Sequence, residues 1–471
     1  MNRLFALLFA LLLLPADAFA VAAAVPASAS GCVACHGDIR PDAAHNLACT
    51  TCHAGQAGEQ EQQAAHAGLI ARPAHPDNMG RACGSCHREQ VERAKGAGHF
   101  TLANKINAVR AHFGASARLA GATAIPVADP ASSPQALADD LLRRRCLRCH
   151  VYTPGDYYSA VSHGTGCAAC HLAFTNGKLQ AHTFARPADS RCLSCHYGNY
   201  VGSDYHGRSE HDYHWEYRTP YAPTGYGPRP YGIEYRDLAP DIHQQRGLVC
   251  IDCHQDIGHS AKPSVRCASC HDWRPGQPAP PLQSLKADGG RLVLTSRADG
   301  RIHPVPPMQH SAHREYGRTV ACQVCHAQWG SNDSTTHLML TRTEDFDPWE
   351  ELTVQGSSEV ESLLSHNLYS EDPERPAAMR DGLTGELRPG VWLQGFTQRR
   401  FEQLLVRRDT DGVIKVFRPI LDLRLSLVDE DDNPLVDNQT GADNGLRPYT
   451  PHTTGPAGLF FRDRFQHLLE R

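Results

Sequence analysis

The 471-residue chain holds 18 cysteines, and all of them fall into nine Cys-x-x-Cys-His pentapeptides, at 32–36, 49–53, 83–87, 146–150, 167–171, 192–196, 250–254, 267–271 and 322–326. No cysteine is left over. A zinc ribbon gathers four ligands from two Cys-x-x-Cys knuckles and has no need of His after the second Cys. A redox dithiol uses the same cysteine spacing, again without the His. A disulfide framework explains neither the spacing nor the His.

One chemistry uses all three fixed positions. Two cysteines on one short turn reach the two vinyl groups of a porphyrin as thioethers, and the next residue places an imidazole beneath the iron. On these motifs the chain resembles the multihaem c-type cytochromes, over residues 32 to 326. The resemblance implies nine covalently attached haem c groups. Their thioether positions are Cys32, Cys35, Cys49, Cys52, Cys83, Cys86, Cys146, Cys149, Cys167, Cys170, Cys192, Cys195, Cys250, Cys253, Cys267, Cys270, Cys322 and Cys325, and their proximal ligands His36, His53, His87, His150, His171, His196, His254, His271 and His326. It also implies assembly outside the cytoplasmic membrane and electron transfer as the role.

Composition agrees with such a cofactor. Hydrophobic residues make up 41% and aromatic residues 7%, against 39 Gly and 32 Pro, which is rich in turns and poor in ordinary core. A porphyrin is a large apolar plate that serves as core and as staple. The expected fold is therefore mostly short helices and coil wrapped around closely packed haems, with a β-containing, haem-free C-terminal region. About 33 residues per motif between Cys32 and His326 leave neighbouring sites little room to stand apart.

The N-terminus MNRLFALLFALLLLPADAFA has the anatomy of a secretory signal over 1–20, with cleavage between 20 and 31, so the expected address is periplasmic, or outer-membrane associated and extracellular. Ala29-Ser30-Gly31-Cys32 is loosely similar to a lipoprotein site, but a lipid on Cys32 would cost the first haem its attachment. No other segment has the length of a membrane span. A net charge of −5 without basic, aromatic-laced runs gives no sign of nucleic acid.

The motifs group in threes: 32–114, then an Ala/Pro/Ser linker over 115–140, then 141–249 with a Tyr-rich wrap, then 250–330. TLANKINAVRAHFG predicts a helix, and the segment around 285–304 a strand, an Asp-Gly turn and a return strand. Beyond the last motif, 331–471 carries no cysteine. Alternation in GVIKVFRPILDLRLSLVDEDDNPLV predicts strands, and RFQHLLER a closing helix. Within this region PYTPHTTG, 448–455, resembles a segment of exported multihaem cytochromes that lies beside a haem, which draws attention to His452.

The sixth ligand separates carrier from enzyme, since two protein ligands make an electron carrier and an open position admits a substrate. Nineteen of 28 histidines lie outside the motifs. His45, His75, His163, His182, His243, His259 and His313 stand four to ten residues before a motif, and His99 and His112 flank the predicted helix, giving nine distal candidates for nine irons. Met79, Met308 and Met339 do not follow motifs as cytochrome c methionines do.

The expected function is conduction along mostly bis-His haems between a respiratory donor, such as a quinol-linked or periplasmic cytochrome, and a terminal acceptor or outer-membrane conduit. Two alternatives stand beside it. One is reduction of a small N, S, Se or Te oxyanion at one five-coordinate haem, for which His206, His211, Tyr213, His214, Tyr217 and Arg218 of the Tyr-rich segment could supply charge and protons. The other is a protomer of a haem filament, or a structural partner of an outer-membrane conduit.

Overall fold

The computed structural model describes residues 30–129, 131–158, 161–175, 177–197, 204–210, 233–260, 265–333, 336–395, 399–402 and 404–469. The leader, its cleavage region and most of the Tyr-rich segment, including His211, Tyr213, His214, Tyr217 and Arg218, lie outside these residues.

The chain builds short helices and several small sheets. Its two halves differ in what they bury. Between residues 31 and 73 no side chain is buried, and the α-helices are four to six residues long, too short to stand without outside support. The predicted helix forms as Ala103–His112. Between the eighth and ninth motifs the expected hairpin becomes a three-stranded meander, Leu285–Asp288, Arg291–Thr295 and Ile302–Pro304. Its first turn is Gly289-Gly290, both at positive φ, the backbone a two-residue hairpin loop demands.

The main hydrophobic core lies in the cysteine-free region. A four-stranded sheet runs in the order Val391–Gln394, Thr336–Thr341, Leu423–Val428, Pro434–Thr440, with the middle pair parallel and the outer pairs antiparallel. Leu338, Leu340, Leu425 and Leu427 alternate inward as the sequence pattern requires. They pack against Leu137, Ala138 and Leu141 of one helix and Val360 and Leu364 of another, Ser358–Tyr369.

The first of these helices, Pro134–Arg144, begins where the sequence reads as a linker. Ser133 caps it by accepting from the Ala136 amide, and proline fills its first turn. Every residue from Leu137 to Arg144 is buried, four charged ones included. Their charges cross to partners: Arg110 to Asp139 at 2.7 Å, Arg143 to Asp381 at 2.5 Å, and Asp140 to both Arg144 at 2.7 Å and Arg388 at 3.2 Å. Arginines also satisfy the open edge of the sheet. Arg144 donates to the carbonyls of Pro389 and Gly390, and Arg145 to that of Trp392.

Breaking one buried pair leaves its partner's charge stranded. Asp381→Asn is therefore expected to cost about 3–5 kcal/mol, read as a fall in the denaturation midpoint. Although burial opposes ionisation, the Arg143 guanidinium and the amides of Leu383 and Thr384 hold the Asp381 carboxyl below its ordinary value. Its stabilisation is thus present above about pH 4, the unfolded carboxyl range, and is lost as pH falls through the lower folded value. The variant should lack that component of acid sensitivity; an unchanged midpoint and acid profile would show the pair to be inert.

Candidate functional site

Each motif folds as a single helical turn. Outside the motif at 146 the His amide bonds back to the first Cys carbonyl, as for His36 to Cys32 at 2.9 Å, His87 to Cys83 at 2.8 Å, His196 to Cys192 at 2.8 Å and His254 to Cys250 at 2.9 Å. Residues i, i+3 and i+4 then share one face, so both thiols and the imidazole point to the same side.

Opposite these imidazoles the structure places other imidazoles. Among the described residues eight histidine ring pairs form: His36–His66, His87–His45, His53–His182, His196–His99, His171–His259, His271–His243, His254–His452 and His326–His313. Each contains one motif histidine and one from outside the motifs. All centroid separations lie between 6.0 and 6.3 Å, whereas the interplanar angles run from 4° to 69°. Stacking would fix the angle as well as the distance. A fixed distance with a free angle is what two rings on one metal axis show: about 2.0–2.1 Å from metal to nitrogen and roughly 1.2 Å to the ring centre, doubled, gives about 6.4 Å.

Second partners orient these rings. The Nδ1 atoms of His53, His171, His271 and His326 donate to the carbonyls of Ile70, Ala185, Pro306 and Gly455 at 2.8–3.0 Å, leaving Nε2 with its lone pair. On the other side, His45 and His243 donate Nδ1 to carboxylates, Asp42 at 2.9 Å and Asp241 at 2.5 Å. The Asp241 contact raises His243 above its ordinary value, making it the more basic ligand of its pair. Burial pushes His182, His254, His259, His271 and His452 down, so they are neutral and ligand-ready at pH 7.

Residues 449–455 reach the sites from far along the chain. Buried Asp204 accepts from the Tyr449 hydroxyl and from the His452 amide, and Asp241 accepts from the Thr454 amide at 3.0 Å. Gln328 donates its amide to Thr453 at 3.0 Å, and Gly455 bonds the His326 carbonyl at 2.9 Å. This stitching sets His452 against His254 and makes Asp241 common to two neighbouring pairs.

Motif cysteines meet across motifs. Cys32 and Cys49, Cys83 and Cys167, Cys192 and Cys250, and Cys267 and Cys322 are near enough to shift one another's ionisation, as are, at longer range, Cys52 and Cys83, Cys170 and Cys192, and Cys253 and Cys270. These contacts order eight motifs in one run: 32, 49, 83, 167, 192, 250, 267, 322. The motif at 146 joins from the side, where Cys149 meets Cys195. All 18 thiols are free; burial pushes Cys146 and Cys170 up to about 11 and Cys253 up to about 12, while the neighbouring Cys267 brings Cys322 down to about 7. Among the described residues no cluster of three or more His, Cys, Asp or Glu gathers as a zinc site would.

A continuous cavity of ≈ 3440 Å³ runs along the six motifs from 146 to 322 and is lined by their cysteines and histidines. Small-ligand pockets span roughly 300–1,000 Å³, so this one suits several large ligands in file.

Six of the nine distal candidates, His45, His99, His182, His243, His259 and His313, thus face a motif histidine. His75 meets Tyr152 edge-on at 5.1 Å, His112 is buried 3.0 Å from Asp443, and His163 is buried with Nδ1 on the Gly164 carbonyl. His66 and His452 take places that spacing did not assign. The only sequence signal for His452 is PYTPHTTG, and for His66 there is none. No helix among the described residues is long and apolar enough to cross a membrane. No protein-family model, curated protein or solved structure matches the chain.

Proposed function

We propose that the protein is an electron-conducting c-type cytochrome carrying nine haems, exported and working between a respiratory donor and a terminal acceptor or outer-membrane conduit. The observation that carries this reading is the set of eight imidazole pairs, each joining a Cys-x-x-Cys-His histidine to a second histidine at one constant separation. Bound there, haem iron supplies a one-electron couple whose potential the axial ligands and their hydrogen bonds set.

The chain's own part is to hold the ligands still and keep the sites adjacent. Two histidines at a site leave no position for a substrate, which suits conduction rather than conversion. Cysteines of successive motifs in contact bring one attachment point to the next, and the resulting run has motif 32 at one end and motif 322 at the other. The carboxylates on His45 and His243 favour the oxidised state at motifs 83 and 267, so the couple should step up and down along the run.

Intact mass under denaturing conditions tests the proposal, because thioethers survive unfolding. Nine haems are expected. Fewer would overturn it as stated, and eight with an acyl mass on Cys32 would make the first motif a lipid anchor instead.

A further inference from the structure

His150 departs from the other eight motif histidines. Its amide bonds to Leu147, three residues back, at 2.8 Å, so this motif makes a tighter 3₁₀ turn. Among the described residues its ring meets no second imidazole; it lies parallel to Tyr152 at 5.2 Å and 7°. The side chain is about 3% exposed, and among the same residues neither ring nitrogen has a hydrogen-bond partner. A buried nitrogen without a partner is costly unless a ligand takes it.

The surroundings differ too. Motif 146 lies beside the run rather than within it, touching motif 192 through Cys149 and Cys195. The cysteine-free region closes its cavity. Arg145, next to Cys146, donates to Gln394 at 2.7 Å, and both line the cavity together with Leu338 and Leu423 of the four-stranded sheet. The spare histidine nearby is His163. Its ring packs beside Gly155, where φ is +75° and a Cβ would stand 2.8 Å from the imidazole; its Nε2, like the nitrogens of His150, is buried without a hydrogen-bond partner, and it forms no ring pair with His150.

We propose that the haem held by Cys146, Cys149 and His150 keeps its sixth position for an exogenous ligand, small and uncharged, of the carbon monoxide class. The buried, solvent-excluded setting of His150 favours a small, uncharged ligand. The inference rests on the reading of the motifs as haem sites. It makes this branch the point where a molecule from solution can reach the chain of otherwise closed sites.

The test uses the intact holoprotein, with haems counted by mass before any spectrum is taken. The oxidised protein should show a high-spin share of about one haem in nine, and the reduced protein should bind carbon monoxide to the same extent. Replacing both Cys146 and Cys149 with Ser should give eight haems and complete loss of carbon monoxide binding, while His163→Ala should change neither signal. If the double variant does not accumulate, Leu423→Trp in the cavity wall replaces it, with nine haems and rebinding slowed about tenfold as the expected result. Nine haems, all low-spin and inert to carbon monoxide, would overturn the proposal. So would a high-spin signal appearing only in His163→Ala, which would make His163 the sixth ligand, or binding that persists without the 146 site or at an unchanged rate in Leu423→Trp. A chain without haem by mass would instead overturn the underlying reading, and this proposal with it.

Discussion

Produced without haem attachment, residues 30 to 330 are expected to remain unfolded, with a coil-like circular dichroism spectrum and rapid proteolysis. The reason is the size of the space between the motifs. The motifs line one open space of ≈ 3440 Å³ instead of packing on one another, so the chain between them buries little apolar surface to offset the conformational entropy of folding. Local structure cannot compensate, since the motif helices Cys49–His53, Ala168–His171 and Cys250–Cys253 are only four or five residues long. Native-like helix content and protease resistance in a chain lacking haem would remove the cofactor from its place as core.

The motif half of each imidazole pair was legible in the sequence because it sits in a contiguous pentapeptide. Distal partners answer to three-dimensional packing. His45 and His313 stand just before a motif and reach motif histidines, whereas His75 and His163 stand equally close and do not. His112 is a docking residue: Asp443 and the backbone of Gly441 close over it, tying the helix Ala103–His112 to the cysteine-free region. His452 is brought back across 198 residues by hydrogen bonds to Asp204 and Asp241 that no spacing rule contains.

The same contrast holds for the fold. Alternation located the strands Ile414–Pro419 and Leu423–Val428, because one buried face imposes period two. It did not locate the helix Pro134–Arg144 as a core element. Its first residues fall in the Ala/Pro/Ser stretch read as a linker, and Asp139, Asp140, Arg143 and Arg144 are buried because their partners Arg110, Arg388 and Asp381 arrive from elsewhere in the chain. Nor did composition show that the cysteine-free region meets the motif at 146 through Arg145 and Gln394.

Deleting residues 340–471 is expected to leave nine haems attached but to collapse the middle of the molecule. Attachment needs only the pentapeptides. Folding needs more. The deletion uncovers Leu137, Leu141 and Phe113, takes Asp381 from Arg143 and Gln394 from Arg145, and removes the edge-strand carbonyls that Arg144 and Arg145 use. Arg144 keeps Asp140, but Arg143 and Arg145 lose their partners, and at about 3–5 kcal/mol for each stranded buried charge two such losses are comparable with the stability of a typical domain. The site at 250 also loses His452, and His326 loses the Gly455 carbonyl that orients it. His452→Ala in the full-length protein separates these effects, because it should open the 250 site alone, adding one high-spin haem with little change in the denaturation midpoint. A truncated protein with nine haems, unaltered spectra and an unaltered midpoint would show the cysteine-free region to be an independent domain. His452 would then ligate no haem, and the arginine cluster would hold nothing together.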